Sequence, residues 1–263
     1  MTDHVVMFSG GLCSFHAAHR VLQERDRERV TLLFCDTLIE HDDLYRFLDD
    51  AGRVLNHPIT RISEGRTPWQ LFHDEGMIGN TRADLCSRIL KRELADKWVK
   101  ENCDPNPVLY FGFDFTEAHR LEDVKNAKPW AKCEAPLLKP PYLWPHQMVQ
   151  RALDMGIEPS NSYKQGFSHD NCGGFCVKAG HATFARLLHH RPDVFADNEA
   201  EEQRFRQTTG KDVSILRDRR GGETKPLTMR KFRENLENGG LFDKEDVGGC
   251  NCFSPPMGQE GEY

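Results

Sequence analysis

The sequence predicts an α/β fold: a doubly wound, mostly parallel β-sheet followed by a helical, loop-rich C-terminal region. Three short apolar runs, at residues 5–8, 30–35 and 108–113, have the composition of buried strands. Helical patterns separate these runs, and strands that alternate with helices are typical of a parallel sheet. Ligands of such sheets bind outside the carboxyl ends of the strands, so the residues that follow each run are functional candidates.

The first candidate is the turn after the first run, where Ser9, Gly10 and Gly11 precede a helical pattern that starts near Ser14. Two glycines allow a tight turn whose backbone N–H groups converge, and the N-terminus of a helix favours an anion. The turn is therefore either a phosphate-binding loop or an ordinary connection between a strand and a helix. It has neither the Gly-Lys-Ser/Thr ending of a Walker motif nor the Gly-x-Gly-x-x-Gly pattern of a dinucleotide site.

The second run ends at Asp36, which is thus at the same edge of the predicted sheet as the glycine turn. Apolar residues at helical spacing predict a helix over 42–55, and a third strand is predicted at 57–63.

A long amphipathic helix is predicted over 84–101, with Arg88 and Lys91 in its first two turns. Cations at a helix N-terminus are unfavourable unless an anion is bound nearby, although a solvated helix face is the alternative. Glu117 and Arg120 are predicted on the helix that follows the strand at 108–113. A Pro-rich segment near residue 140 divides the chain into a predicted α/β core, residues 1–140, and a C-terminal region, residues 141–263.

Composition limits the class of protein. A net charge of -6 and a pI near 6.1 argue against a general nucleic-acid binder, although residues 211–233 are locally basic. The longest apolar runs are too short to cross a bilayer, and the first strand begins too early to leave room for a signal peptide. We therefore expect a cytoplasmic protein without membrane contact. In the reducing cytosol its nine cysteines indicate metal binding or sulfur chemistry rather than disulfides.

Two cysteine pairs carry the clearest metal signal. Cys172 and Cys176 are separated by three residues, Cys250 and Cys252 by one, and glycines adjoin both pairs. Four thiolates suit zinc and an iron–sulfur cluster equally well. The alternative is four unrelated buried thiols.

In combination these features resemble the phosphoadenosine phosphosulfate (PAPS) reductase family of PP-loop proteins. This family belongs to the adenine nucleotide alpha hydrolase-like superfamily, and includes phage-type members and the PP-loop subunit of DNA phosphorothioation systems. The likeness covers about residues 4–180. It is carried by Ser9-Gly10-Gly11-x-x-Ser14, Asp36-Thr37-x-Ile39-Glu40, Cys86-x-Arg88-x-x-Lys91 and Gly112-x-x-x-x-Glu117-x-x-Arg120.

The resemblance implies a role for each matching residue. Ser9, Gly10, Gly11 and Ser14 would hold phosphate, and Asp36 and Gly112 would line the nucleoside pocket. Arg88 and Lys91 would face sulfate or a leaving phosphate, and we assign Glu117 and Arg120 to the catalytic set with them. The near-terminal Glu-Cys-Gly-x-His segment, which carries the attacking cysteine of classical PAPS reductases, is absent from this chain.

The same region resembles iron–sulfur adenylylsulfate reductases, in which a Cys-Cys pair at this helix start joins a later Cys-x-x-Cys in binding [4Fe–4S]. Here Cys86 alone stands at the first position, and the later motif is one residue longer. The resemblance implies a [4Fe–4S] cluster on Cys172 and Cys176, completed by Cys250 and Cys252 or by Cys86. Zinc is the alternative, and if Cys86 is a ligand one terminal cysteine is released for sulfur transfer.

We therefore expect an enzyme of sulfur metabolism, either a PAPS reductase-like protein or an adenylating sulfurtransferase. Its nucleotide would be PAPS, or ATP with Mg²⁺, and a reductant or sulfur-donor protein is an expected partner. Two other functions stay open: ATP-dependent thiolation of a nucleic acid, which would then be the sulfur acceptor, and nucleotide binding without catalysis.

Overall fold

The computed structural model describes residues 2–80, 84–169, 172–219, 222–248 and 252. Within these residues five strands form one parallel sheet in the order β3-β2-β1-β4-β5. The predicted fold class is confirmed. The strands are β1 (His4–Met7), β2 (Val30–Asp36), β3 (Ile59–Ser63), β4 (Val108–Phe111) and β5 (Lys132–Glu134).

Helices cover both faces of the sheet, because successive residues of a strand point to opposite sides. Val6 packs in a core with α1 and α2, whereas its neighbours Val5 and Met7 pack in a separate core with α4 and α5. The helices are α1 (Leu12–Glu24), α2 (Asp42–Val54), α3 (Pro68–Glu75), α4 (Leu94–Asn102), α5 (His119–Ala127), α6 (Pro145–Asp154), α7 (Asn161–Lys164), α8 (His181–His190), α9 (Pro192–Thr209) and α10 (Met229–Glu237).

A third core joins α8, α9 and α10 to earlier parts of the chain. Trp69 of α3 stacks on Phe175 at a centroid distance of 6.0 Å, and Leu90 lies in the same core. A short antiparallel hairpin, β6 (Leu216–Asp218) and β7 (Lys225–Leu227), completes this region. The division at residue 140 stays a prediction.

A helix is present over the predicted range, but its first half is wound as a π-helix, Cys86–Glu93, before α4 begins at Leu94. Its hydrogen bonds close over five residues instead of four, and such segments are frequent at functional sites. The apolar pattern does not distinguish the two windings over so short a stretch.

No helix within the described ranges is both long and apolar enough to cross a bilayer.

Candidate active site

The glycine turn forms between β1 and α1. Gly10 adopts φ of +80°, and Gly11 is the N-cap of α1 with no side-chain cap. The Ser14 hydroxyl donates to the Gly11 carbonyl at 2.8 Å, and the Ser9 hydroxyl donates to Ser14 at 3.2 Å. The two serines thus fix the turn, while the first N–H groups of α1 lack an intrahelical acceptor.

A cavity of about 630 Å³ opens beside this turn, where β1 and β4 end. This is the position that an open parallel sheet favours for ligands. Eight residues predicted for the site line it: Ser9, Gly11, Ser14, Lys91, Gly112, Glu117, Arg120 and Cys252. The structure therefore brings residues of the first, third and fourth motifs of the resemblance to a single cavity, together with Cys252.

Gly112 forms part of the cavity wall, and it also permits a close backbone approach. A Cβ atom added there would lie 2.6 Å from the backbone nitrogen of Ser14. The end of β4 can therefore pack directly on the first turn of α1 only because residue 112 has no side chain.

Asp36 does not line the cavity in the described structure. Its buried carboxylate accepts hydrogen bonds from the Leu38 N–H at 2.8 Å, the Tyr45 hydroxyl at 3.0 Å and the Arg61 guanidinium at 2.6 Å. These bonds fix the loop after β2, and together they use both oxygens of the Asp36 carboxylate.

Lys91 is the buried cation of the site, with 7% of its surface exposed. Its ammonium lies 3.8 Å from the Cys252 sulfur and 3.9 Å from a Glu40 carboxylate oxygen. Burial raises the pKa of Glu40, and Lys91 opposes that shift. Thr37 donates to the same carboxylate at 2.9 Å, and so does the Cys172 N–H. Glu40 thus connects Lys91 to the segment at residues 172–176, which contains Cys172 and Cys176 and is called the cysteine loop below.

Arg88 lies apart from Lys91. Its side chain is 45% exposed, it pairs with Glu93 at 3.4 Å, and it is not among the residues that line the cavity. Arg120 does line the cavity, where it pairs with Glu117 and covers the Phe113 ring at 4.5 Å.

Four of the predicted cysteine ligands, Cys86, Cys172, Cys176 and Cys252, fall among the described residues, and of these Cys252 lines the cavity. Burial raises the pKa of Cys86, Cys172 and Cys176, to about 11 in Cys176, and the charge of Cys252 raises each of them further. A nearby negative charge disfavours the thiolate form. Cys250 lies outside the described residues.

A four-thiol donor set fits an iron–sulfur cluster or zinc chemically. Among the described residues, however, no three His, Cys, Asp or Glu side chains form a group that could hold a metal ion. Both the iron–sulfur cluster and the zinc alternative therefore stay predictions.

Sequence reasoning did not include Tyr163 and Glu40 among the site residues. The Leu12 N–H donates to the Tyr163 hydroxyl at 3.3 Å, directly at the glycine turn. Glu40 belongs to one of the four motifs of the resemblance, so the sequence contained a signal for it. Tyr163 lies on the four-residue helix α7, where no sequence pattern indicated a site residue.

No family model matches the sequence, and no curated protein is significantly similar to it. Among solved structures the chain is similar to the PAPS reductase from Candida auris, determined as a phosphate complex. The two are 14% identical, with a TM-score of 0.47 over 65% of this chain and 82% of that chain.

Proposed function

We propose that this protein is a PP-loop enzyme of sulfur metabolism that binds ATP or PAPS and carries out sulfur transfer or sulfonucleotide reduction. One observation carries the proposal: a single cavity is lined by the glycine turn, by the cations Lys91 and Arg120, and by the thiol of Cys252. Its volume of about 630 Å³ is in the range of small-molecule sites.

The phosphate groups of the nucleotide would bind at the glycine turn. The N-terminal N–H groups of α1 and the helix dipole favour an anion there. Arg120 can bind an oxyanion with two parallel hydrogen bonds, whereas Lys91 acts as a point charge. With ATP, Mg²⁺ would share the phosphate charge.

Cys252 is the candidate nucleophile, because it lines the cavity and lies beside the ammonium of Lys91. A neighbouring cation favours the thiolate, which is the reactive form. With PAPS, the thiolate would attack the sulfate sulfur, forming an S–S bond and breaking the S–O bond to adenosine 3′,5′-bisphosphate. A thiol of a reductant protein would then attack Cys252 and release sulfite, with a mixed disulfide as the oxidised product. With ATP, adenylation of an acceptor and release of pyrophosphate would precede sulfur insertion.

The metal group would be held by Cys86, Cys172 and Cys176. Cys250 would be the fourth ligand if Cys252 is kept for sulfur chemistry. When bound, a [4Fe–4S] cluster would supply electron transfer or present sulfur; zinc, the alternative, would stabilise the fold.

The test begins with anaerobic purification, an absorption spectrum, and assays for iron, sulfide and zinc. Calorimetry with ATP and with PAPS then measures binding, and release of sulfite or pyrophosphate measures turnover. We expect Cys252→Ser to keep metal and nucleotide but to lose turnover by about 100-fold or more.

Cys103→Ser is the matched control, since Cys103 lies in the core with α4 and is not a cavity residue. Wild-type turnover in Cys252→Ser would refute the role of this thiol. Absence of binding to both nucleotides would refute the proposed function.

A second cavity favours a polyanionic acceptor. It measures about 280 Å³, and among the described residues it is lined by Lys178, His181, Arg217 and Arg219 and by one acid, Asp246. Lys178 is ion-paired with the buried Asp84, so Arg217 and Arg219 carry the positive charge of this cavity. A nucleic-acid acceptor predicts binding that weakens steeply with salt, because phosphate contacts release counterions. Binding of single-stranded DNA or RNA that does not change with salt would count against thiolation of a nucleic acid.

A further inference from the structure

We propose that Tyr163 is a positioning residue that senses phosphate at the glycine turn and transmits its presence to the cysteine loop through Arg191. The inference rests on the proposed nucleotide site and adds a coupling between that site and the thiols.

The Tyr163 hydroxyl occupies a place that a phosphate oxygen would take. It accepts the N–H of Leu12, the first residue of α1, at 3.3 Å. A Cβ atom on Gly11 would lie 3.2 Å from the same hydroxyl, so the phenol covers the glycine turn directly.

A phosphate oxygen would displace this contact. The present bond joins two neutral groups and is long, whereas a charge-assisted N–H···O⁻ bond is shorter and roughly twice as strong. A phenol can both accept and donate, so after displacement the Tyr163 O–H can donate to the phosphate instead. A phosphate oxygen that takes the Leu12 N–H therefore displaces the Tyr163 hydroxyl.

Arg191 links the helix of Tyr163 to the cysteine loop. Arg191 is 4% exposed. Its guanidinium donates to the Ser162 hydroxyl at 2.6 Å and to the Gln165 side chain at 2.9 Å, on either side of Tyr163 and Lys164. The same group donates to the Gly173 carbonyl at 2.8 Å, one residue after Cys172. Because a guanidinium is planar and rigid, a shift of α7 displaces Gly173 as well.

The cysteine loop has little freedom to absorb such a shift. A Cβ atom on Gly173 would lie 2.8 Å from the Ile39 carbonyl, and the Cys172 N–H is bonded to Glu40. Movement at Gly173 therefore reaches Cys172 and, through Glu40, the neighbourhood of Lys91.

The experiment measures amide hydrogen exchange of residues 172–179 with and without saturating PAPS, ATP or inorganic phosphate. Cys172 and Cys176 do not line the nucleotide cavity, so a change there reports transmission rather than direct contact. In the wild type, bound nucleotide is expected to slow exchange roughly fivefold, at the low end of ordinary coupling between sites.

At saturating nucleotide, Tyr163→Phe is expected to lose the slowing. It should also weaken nucleotide binding by up to about tenfold, because the bond from the Tyr163 O–H to phosphate is lost. Arg191→Lys should also lose the slowing of exchange, because an ammonium group cannot replace the planar guanidinium that bonds both α7 and Gly173. Tyr142→Phe is the matched control, since Tyr142 is 53% exposed and lies outside the cavity.

Each outcome decides the inference. Wild-type protein that binds nucleotide without slowing exchange, or Tyr163→Phe that slows it as the wild type does, would overturn the coupling and leave the proposed function standing. Wild-type protein that binds neither nucleotide would refute the proposed function, and the coupling with it.

Discussion

Gly10 and Gly11 are adjacent in sequence, but the structure predicts that replacement by alanine lowers stability at Gly10 and nucleotide affinity at Gly11. Gly10 has φ of +80°, and an added Cβ would lie 2.5 Å from a methyl carbon of Leu44. Gly11 has φ of -92°, and among the described residues its added Cβ would meet the Tyr163 hydroxyl at 3.2 Å and the Ser9 hydroxyl at 3.7 Å. The first change therefore strains the fold, and the second intrudes on the phosphate site.

The magnitudes follow from these contacts. A left-handed conformation costs alanine about 1–2 kcal/mol, and overpacking against Leu44 adds about 1–3 kcal/mol, so Gly10→Ala should lose about 2–5 kcal/mol of unfolding free energy. Gly11→Ala should change that free energy by less than about 1 kcal/mol. Loss of one charge-assisted hydrogen bond to phosphate, about 1.5–3 kcal/mol, should weaken nucleotide binding by about 10–100-fold in Gly11→Ala.

Urea unfolding gives the stability of each variant, and calorimetry with ATP and PAPS gives its affinity. Wild-type affinity in Gly11→Ala would show that the turn does not bind phosphate. Wild-type stability in Gly10→Ala would show that the contact with Leu44 relaxes without cost, which the argument from close packing does not allow.

Lys91→Ala should lower turnover by about tenfold or more, because the cation beside the reacting groups is lost. Arg88→Ala should leave turnover unchanged, because Arg88 lies outside the cavity. Equal losses of turnover in the two variants would refute the separate placement of Lys91 and Arg88. Asp84→Asn should lower the unfolding free energy by about 3 kcal/mol or more, since its buried carboxylate pairs with Arg92 at 2.7 Å; urea unfolding measures this, and no loss would mean that the pair contributes nothing. Burial lowers the pKa of His16 from 6.5 to about 4, so stability should fall as pH drops through that interval, when only the unfolded chain takes up the proton. His16→Gln should reduce that fall by up to about 1.4 kcal/mol per pH unit, and an unchanged pH profile of unfolding would contradict the assignment.

Local patterns predicted four of the five described strands of the sheet and the glycine turn, but not β5, which has only three residues. Alternating strands and helices fixed the fold class, and the residues after the first strand determine the turn through their own backbone preferences. The grouping of Cys86 with Cys172 and Cys176 was implied by the resemblance and stays a prediction.

The parts that sequence could not supply depend on distant partners. Asp36 stands where a ligand contact was expected, but Tyr45 and Arg61, from α2 and β3, bind its carboxylate. The winding of the π-helix is not encoded in the apolar spacing. Tyr163 reaches the glycine turn only through tertiary packing, and no local pattern marks such a contact.

The order of the strands also bears on how the chain acquires its site. Val5 of β1 pairs with Leu109 of the adjacent strand β4, across 104 positions of sequence. Such non-local pairing is slow, because a long loop must close before any contact rewards it. A nascent chain that has emerged from the ribosome only as far as β2 already contains the glycine turn. It still lacks Lys91 and Gly112, which line the finished cavity. Nucleotide should therefore stabilise the finished protein against unfolding without accelerating the early steps of its folding, and a chain stopped before β4 should bind none.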